Sequence, residues 1–345
     1  MTTHKQVNVL LVGQIYFDTI LDVDHFPEED HKLRAKGMEQ RLGGNTTNTG
    51  TVLAQFPRFK VWCMSAIGAK ETSGQLTAQL EERGIKTEYC THRSKASTPS
   101  SYIIQSRATG SRTIVSCSMI QDLTLDDFKR KIEIINTTKT MSLNFEKSVP
   151  FNWIHFEGRN VDNAVQQIDW IDAKATKEGW RSKLHISVEL EKPDRENIDA
   201  LMPKGDVVFF SKLFAERRGY KDPKEFLYSV RSKCKPSAIL FCTWGADGAV
   251  CLSPAGQSLH APAIQVEVVD PVGAGDTFIA GIIHSLSRNI PLNSSLEFAC
   301  QLASRKVGQS GYDGLANGML QSTSFQPRSS ISSTSPLISQ SSKYK

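Results

Sequence analysis

Residues 266–286 read VEVVDPVGAGDTFIAGIIHSL, a β-branched run followed by a turn with proline and glycine and then by apolar residues at helical spacing. The pattern predicts a strand, a turn and an amphipathic helix whose start falls at Gly273, Ala274 and Gly275. A helix start leaves backbone N–H groups without partners and carries partial positive charge, so it is suited to an anion. Glycines let the backbone come close. Asp276 follows at once, where a carboxylate can cap the helix or take the proton of a hydroxyl that attacks a phosphoryl group held by the amides.

The strand-then-helix step repeats along the chain. VNVLLVG (7–13) leads into the helical TTNTGTVLAQF (46–56), VWCMSAIG (61–68) into SGQLTAQLEERGI (73–85), and WIHFEG, LHISVEL, DVVFFS and AILFCTW alternate with helices introduced by Asp or Pro. Such alternation predicts an α/β domain, doubly wound, with a mostly parallel sheet covered by helices on both faces. Two regions interrupt it. Short β-like pieces flank the turn material HFPEEDH between Asp18 and Arg41, and SSYIIQSRATGSRTIVSCS (100–118) reads as a hairpin, so about 18–41 and 100–117 are expected to form a small β lid near the strand ends. The kinase-sized domain is expected to span 1–315, with the Ser-rich segment 316–345 as a disordered tail.

Composition narrows the function classes. The net charge of +5 arises from 41 basic and 36 acidic residues scattered through the chain, without the aromatic and basic pattern or the Cys and His spacing of a nucleic-acid module. The seven cysteines form no CxxC pair and lie in apolar stretches, the habit of free buried thiols in a reducing compartment. The N-terminal apolar run is too short for a membrane span and lacks a small-residue cleavage signal, so a cytoplasmic location is the expectation. GxxxxGK[ST] is absent and no GxGxxG follows a strand, which excludes a P-loop and counts against a dinucleotide fold.

In the N-terminal half, RLGGNTTNTG (41–50) sets Gly43 and Gly44 ahead of Asn45 and Asn48 at a helix start. An amide side chain offers both donor and acceptor, as a polyhydroxylated ligand requires, although an Asn cap on a tight turn has the same signature. Asp18, just past the first strand, can accept two hydroxyl hydrogen bonds, or serve the turn. Arg112, after the hairpin turn, can fork onto phosphate oxygens. Trp244, Gly245, Ala246, Asp247 and Gly248 end a strand and turn back, exposing backbone for a nucleotide or forming an ordinary hairpin.

With GGN at 43–45 and DPVGAGDTF at 270–278 in this order, the chain resembles the ribokinase-like carbohydrate kinase family over nearly everything before the tail. WIHFEGRN, SVELEKP, GDVVFFSK and GYDG are similar to the branch that makes fructose 1-phosphate. The resemblance implies phosphorylation of fructose at C1 by ATP, with ribose, adenosine or another hexose as alternative acceptors, and a non-catalytic sugar-binding relative as the alternative from another class. It implies Asp276 as base with Gly273, Ala274 and Gly275 as anion hole. Asp18, Gly44, Asn45 and Asn48 would contact sugar, with Arg112, Gly245, Ala246, Asp247, Gly248, Gly273 and Gly275 on the nucleotide side. It further implies a homodimer clasped through the lids, with Asp30 reaching into the partner's sugar site, Mg²⁺ with ATP, and K⁺ near Asp270 as a second cation to look for. No membrane or nucleic-acid partner is expected. The family's Asn-x-x-Glu element is missing after DVVFFS, where SKLFAERRG stands, so the metal ligands are left open, with Glu189 and Glu191 as partners to test.

Overall fold

The computed structural model of the protein describes residues 6–140 and 151–322. Its centre is a nine-stranded sheet, in the order Ser258–Ala261, Ala249–Leu252, Ile239–Thr243, Val207–Phe210, His185–Leu190, Trp153–Phe156, Val7–Val12, Phe59–Met64 and Ile85–Lys86. The pairings are parallel from Ile239–Thr243 to Ile85–Lys86, and the two strands at the other edge are antiparallel.

A parallel strand buried on both faces must be apolar throughout, and Val7–Val12 illustrates why. Val9 and Leu11 enter one core with Leu53, Phe278, Ile282 and Leu296, whereas Leu10 and Val12 enter the other with Phe128, Ile168, Ile171 and Phe226. Helices Asn45–Leu53, Ala274–Ser287 and Leu292–Val307 therefore cover one face, and Leu125–Thr140, Val161–Lys177 and Pro223–Val230 the other. The doubly wound expectation holds. Val7–Val12 is followed in sequence by Phe59–Met64 on one side, while Trp153–Phe156 begins the run on its other side. The order reverses there, which opens a crevice at the strands' carboxyl ends.

The lid is a separate four-stranded sheet, ordered Gly37–Gly43, Tyr16–Val23, Ser100–Ser106 and Arg112–Cys117. Its register matters for the site. Asp18 pairs with Arg41 and Ser101, Ile103 with Ile20 and Ile114, and Gln105 with Asp22 and Arg112. Because side chains alternate between faces, Asp18, Ile114 and Arg112 share one lid face.

Two expectations are corrected. The run VEVVD is no strand: residues 262–273 are irregular, with Val266, Val268, Val269 and Val272 exposed. Their backbone is committed elsewhere, the Ile264 N–H to Ser304 Oγ and those of Val269 and Asp270 to the Val307 carbonyl at the end of a helix. The expected tail also begins with structure, a helix Leu315–Ser322 whose Leu315, Ala316 and Met319 are buried in the core. Positions 323–345 lie outside the described residues. All seven cysteines are free, with Cys117 exposed and the others buried.

Candidate active site

The two glycine-led motifs meet in the crevice. Gly273, with φ +78°, caps the helix Ala274–Ser287 without any side-chain hydrogen bond, and Asp276 lies buried in the first turn. The Ala274 N–H turns back to the Pro271 carbonyl at 3.3 Å, whereas those of Gly275 and Asp276 have no backbone partner among the described residues. A Cβ built on Gly275 would meet nothing within 4 Å. Space and two unpaired donors thus coincide at a positive helix end.

Opposite stands Asn45–Leu53. Gly44 has φ +96°, and a Cβ there would come within 2.3 Å of the Gln14 carbonyl, so only glycine fits. Gly43 is excluded from growing for another reason: its Cβ would strike the Asp18 carboxyl, at 2.2 Å. Burial raises the Asp18 pKa, and a Ser101 hydrogen bond and the Arg41 charge oppose that rise.

The asparagine donors are not free. Asn48 Nδ2 donates to Asp276 Oδ2 at 2.7 Å, and Asn45 Nδ2 donates to Glu189 Oε1 at 3.1 Å and Glu191 Oε2 at 3.0 Å. The amides therefore orient carboxylates, where sequence reasoning had aimed them at sugar hydroxyls. Burial pushes Asp276 up to about 8 against the Asn48 bond, and the Glu191 and Glu157 charges add to the rise. Glu189 is driven up by burial first and then by Asp276, Glu191 and Glu157. Its second oxygen is buried without a hydrogen-bond partner. An acidic pocket with an orphaned oxygen is poised for a cation.

Glu157, absent from the sequence reading, closes the floor. It accepts the Gln14 N–H at 2.9 Å and the Arg159 Nε–H at 3.0 Å, just past the Val7–Val12 and Trp153–Phe156 strands. Its one signal was position, an acid ending a wholly buried strand in WIHFEG.

Two adjoining cavities share Thr243, Pro271, Ala274, Gly275 and Phe278. One, of about 370 Å³, contains Asn45, Asn48, Glu189, Glu191, Asp276 and Ile114. The other, of about 570 Å³, is lined by Gly245, Ala246, Gly248 and the valines and isoleucine of the misread VEVV segment. Gly245 and Gly248 both have positive φ, and a Cβ on Gly248 would fall 2.0 Å from the Ala261 carbonyl. Asp247 is exposed on the turn, where its carbonyl meets His260 Nε2 at 2.9 Å, and it does not line the cavity. Arg112 crosses from the lid to Asp270 at 3.5 Å, beside the shared helix start. Asp30 stands apart, exposed on the link between two lid strands with φ +60°.

Among the described residues no helix is long and apolar enough to cross a membrane. The pattern of the pfkB family carbohydrate kinases matches residues 6–316. Ketohexokinase of Mus musculus is 36% identical over 313 residues, covering 90% of this chain and 99% of its own. An ATP-dependent ribose-1-phosphate kinase of Halopiger xanaduensis is 23% identical, over 88% of this chain and 93% of its own. Among solved structures, ribokinase from Giardia lamblia aligns with a TM-score of 0.73 at 17% identity, covering 93% of this chain and 99% of that one. Ribokinase of Arabidopsis thaliana complexed with ribose and ATP aligns with a TM-score of 0.71 at 16% identity, covering 93% and 100%. The folds agree, the sequence pattern spans nearly the whole described chain, and the acid beside a glycine helix start is present: the chain belongs to the pfkB family of carbohydrate kinases.

Proposed function

We propose that the protein transfers the γ-phosphoryl group of ATP to the C1 hydroxyl of fructose, giving fructose 1-phosphate and ADP. The observation that carries the reading is Asp276, buried at the helix start where two cavities join and held by Asn48. In the cavity that contains Asp276, the sugar hydroxyl gives its proton to the carboxylate as its oxygen bonds to phosphorus and the bond to ADP breaks. The N–H groups of Gly275 and Asp276 receive the charge that spreads over the phosphoryl oxygens. The base and ribose of the nucleotide occupy the apolar cavity along Gly245, Ala246, Gly248 and the valine segment, and Arg112 exchanges Asp270 for phosphate. Fructose is preferred over ribose, adenosine or another hexose because the ketohexokinase likeness runs the length of the chain.

The residues fit Mg²⁺. Glu189 has an orphaned buried oxygen beside Glu191, and among the described residues no cluster of three or more metal-binding side chains exists, as suits an ion that takes few protein oxygens. Glu189 and Glu191 would hold it with the phosphates and water, and it supplies neutralisation of phosphate charge. The oxygens of Asp270 do not fit K⁺, because Lys306 and Arg112 already engage them.

A homodimer through the lids is part of this reading. Met38, Tyr102 and Val115 are 69%, 51% and 60% exposed on the lid, apolar surface suited to a second lid, and Asp30 is exposed nearby in sequence. The test is a coupled assay for ADP release over a panel of sugars and nucleosides, followed by NMR of the product. Turnover on fructose with phosphate at C1 is expected, and phosphate at C6 or preference for another acceptor overturns the assignment.

A further inference from the structure

Lys306 is the one basic side chain that is wholly buried among the described residues, and the reaction above gives it no part. It sits near the end of the helix Leu292–Val307, and its Nζ donates to the Asp270 carbonyl at 3.0 Å and to Asp270 Oδ2 at 3.1 Å. The other oxygen of that carboxylate accepts the Val272 N–H at 3.1 Å. The ammonium also lies 5.1 Å from the centre of the Tyr312 ring, and the Tyr312 hydroxyl packs so closely behind Gly273 that a Cβ there would fall 1.9 Å from it. The next residue, Val307, receives the N–H groups of Val269 and Asp270. Neither Lys306 nor Tyr312 lines either cavity.

We infer that Lys306 is a positioning residue: its fixed cation holds the turn 270–273 in the shape that aims the Gly275 and Asp276 amides at the transferred phosphoryl group. The groups converge on one turn from behind. An ammonium that bonds a carbonyl and a carboxylate of one residue constrains both its peptide plane and its side chain, and the Val272 bond carries that constraint to the glycine cap. Arg112, half-exposed on the lid, adds a second positive charge to Asp270 from the cleft side. Lys306 thus balances Asp270 when Arg112 leaves it for a nucleotide. The inference rests on the reading of the helix start as the phosphate site, and does not depend on which sugar accepts.

The test uses Lys306→Met, equal in length and uncharged, and the double variant Lys306→Met with Asp270→Asn, which removes both buried charges. For Lys306→Met, kcat with Mg·ATP is expected to fall about tenfold or more, with the sugar KM within about twofold, because small displacements of positioned donors cost rate more than binding. Calorimetry should show weaker binding of ADP with aluminium fluoride, a mimic of the transferred group, while binding of ADP alone is kept. The double variant should regain thermal stability without regaining kcat, since the bond to the Asp270 carbonyl is still missing. Wild-type kcat in either variant overturns the inference, as does an equal loss of affinity for ADP with and without aluminium fluoride. If the single variant does not fold, kcat and the two affinities of the double variant decide. A wild-type protein inactive on fructose defeats the proposed reaction alone, because the two ADP affinities still report on the turn.

Discussion

Two helices in this molecule begin in the same way and are held for opposite reasons. At Gly44 the positive φ and the Gln14 carbonyl leave no room for a side chain, and the helix that follows is buried along nearly its whole length. At Gly275 there is open space, and the amides around it lack backbone partners. The first start is a packing device that delivers Asn45 and Asn48 to the carboxylates, and the second is a vacancy shaped for an anion. A glycine-rich helix start therefore has no single meaning. What fills, or fails to fill, the space beside the glycine decides its role.

Substitutions can break this contrast. The largest effect is expected at the acid where the two starts touch: Asp276→Asn should lower kcat at least about a hundredfold, the usual share of general-base catalysis, with the fold kept, as steady-state assay and circular dichroism would show. Near-normal turnover would remove Asp276 from the role of base. Gly44→Ala should cost stability, about 3 kcal/mol from the strained φ and the clash with backbone, read as a lowered midpoint in urea. Gly275→Ala should do the reverse. Its methyl meets nothing in the protein and favours the helix slightly, so the melting temperature should hold or rise while KM for ATP increases about tenfold, by the intrusion of a methyl group where backbone must approach phosphate. Equal thermal losses in the two alanine variants would erase the distinction.

Glu189→Gln sharpens the picture at the carboxylate that Asn45 holds. The Mg²⁺ concentration for half-maximal rate should shift by about fivefold or more, as removal of a charged oxygen from a sparse Mg²⁺ site predicts; an unchanged Mg²⁺ dependence would dismiss Glu189 from the metal site.

The smallest effect concerns pH. An aspartate raised from 3.8 to about 8 keeps in the folded protein a proton that the unfolded chain has lost across that interval. Its contribution to stability is present in full below the unfolded value and is lost as pH rises through the folded one. Asp276→Asn should therefore melt progressively higher than the wild type as pH rises from about 4.5 to 8.5, by about 2 °C or more at the upper end. A difference independent of pH would show that the carboxyl is ionised throughout in the folded protein.

Legibility in the sequence followed the range of each interaction. The helix start at Gly273 was readable because the left-handed glycine, the acid and the apolar period lie within a few residues. The lid was readable from its turn residues. The VEVV run misled because β-branched residues favour strands only where a neighbour can pair, and here the valines have an apolar cavity to line and a helix end to bond. The helix Leu315–Ser322 was hidden in a Ser-rich stretch because its anchors are three buried residues, which gain meaning only from the core they enter.

By itself, then, the chain's sequence determined the alternating α/β architecture, the lid and the two glycine motifs with their acid, since each depends on local backbone preference and on the period of apolar residues. Tertiary structure alone decided that Asn48 meets Asp276 across 228 positions, that Asn45 meets Glu189 across 144, and that Lys306 stands behind the turn at Asp270. Those partners are set by where the strands end and by the shape of the crevice between them. No spacing along the chain encodes a bond between residues so far apart.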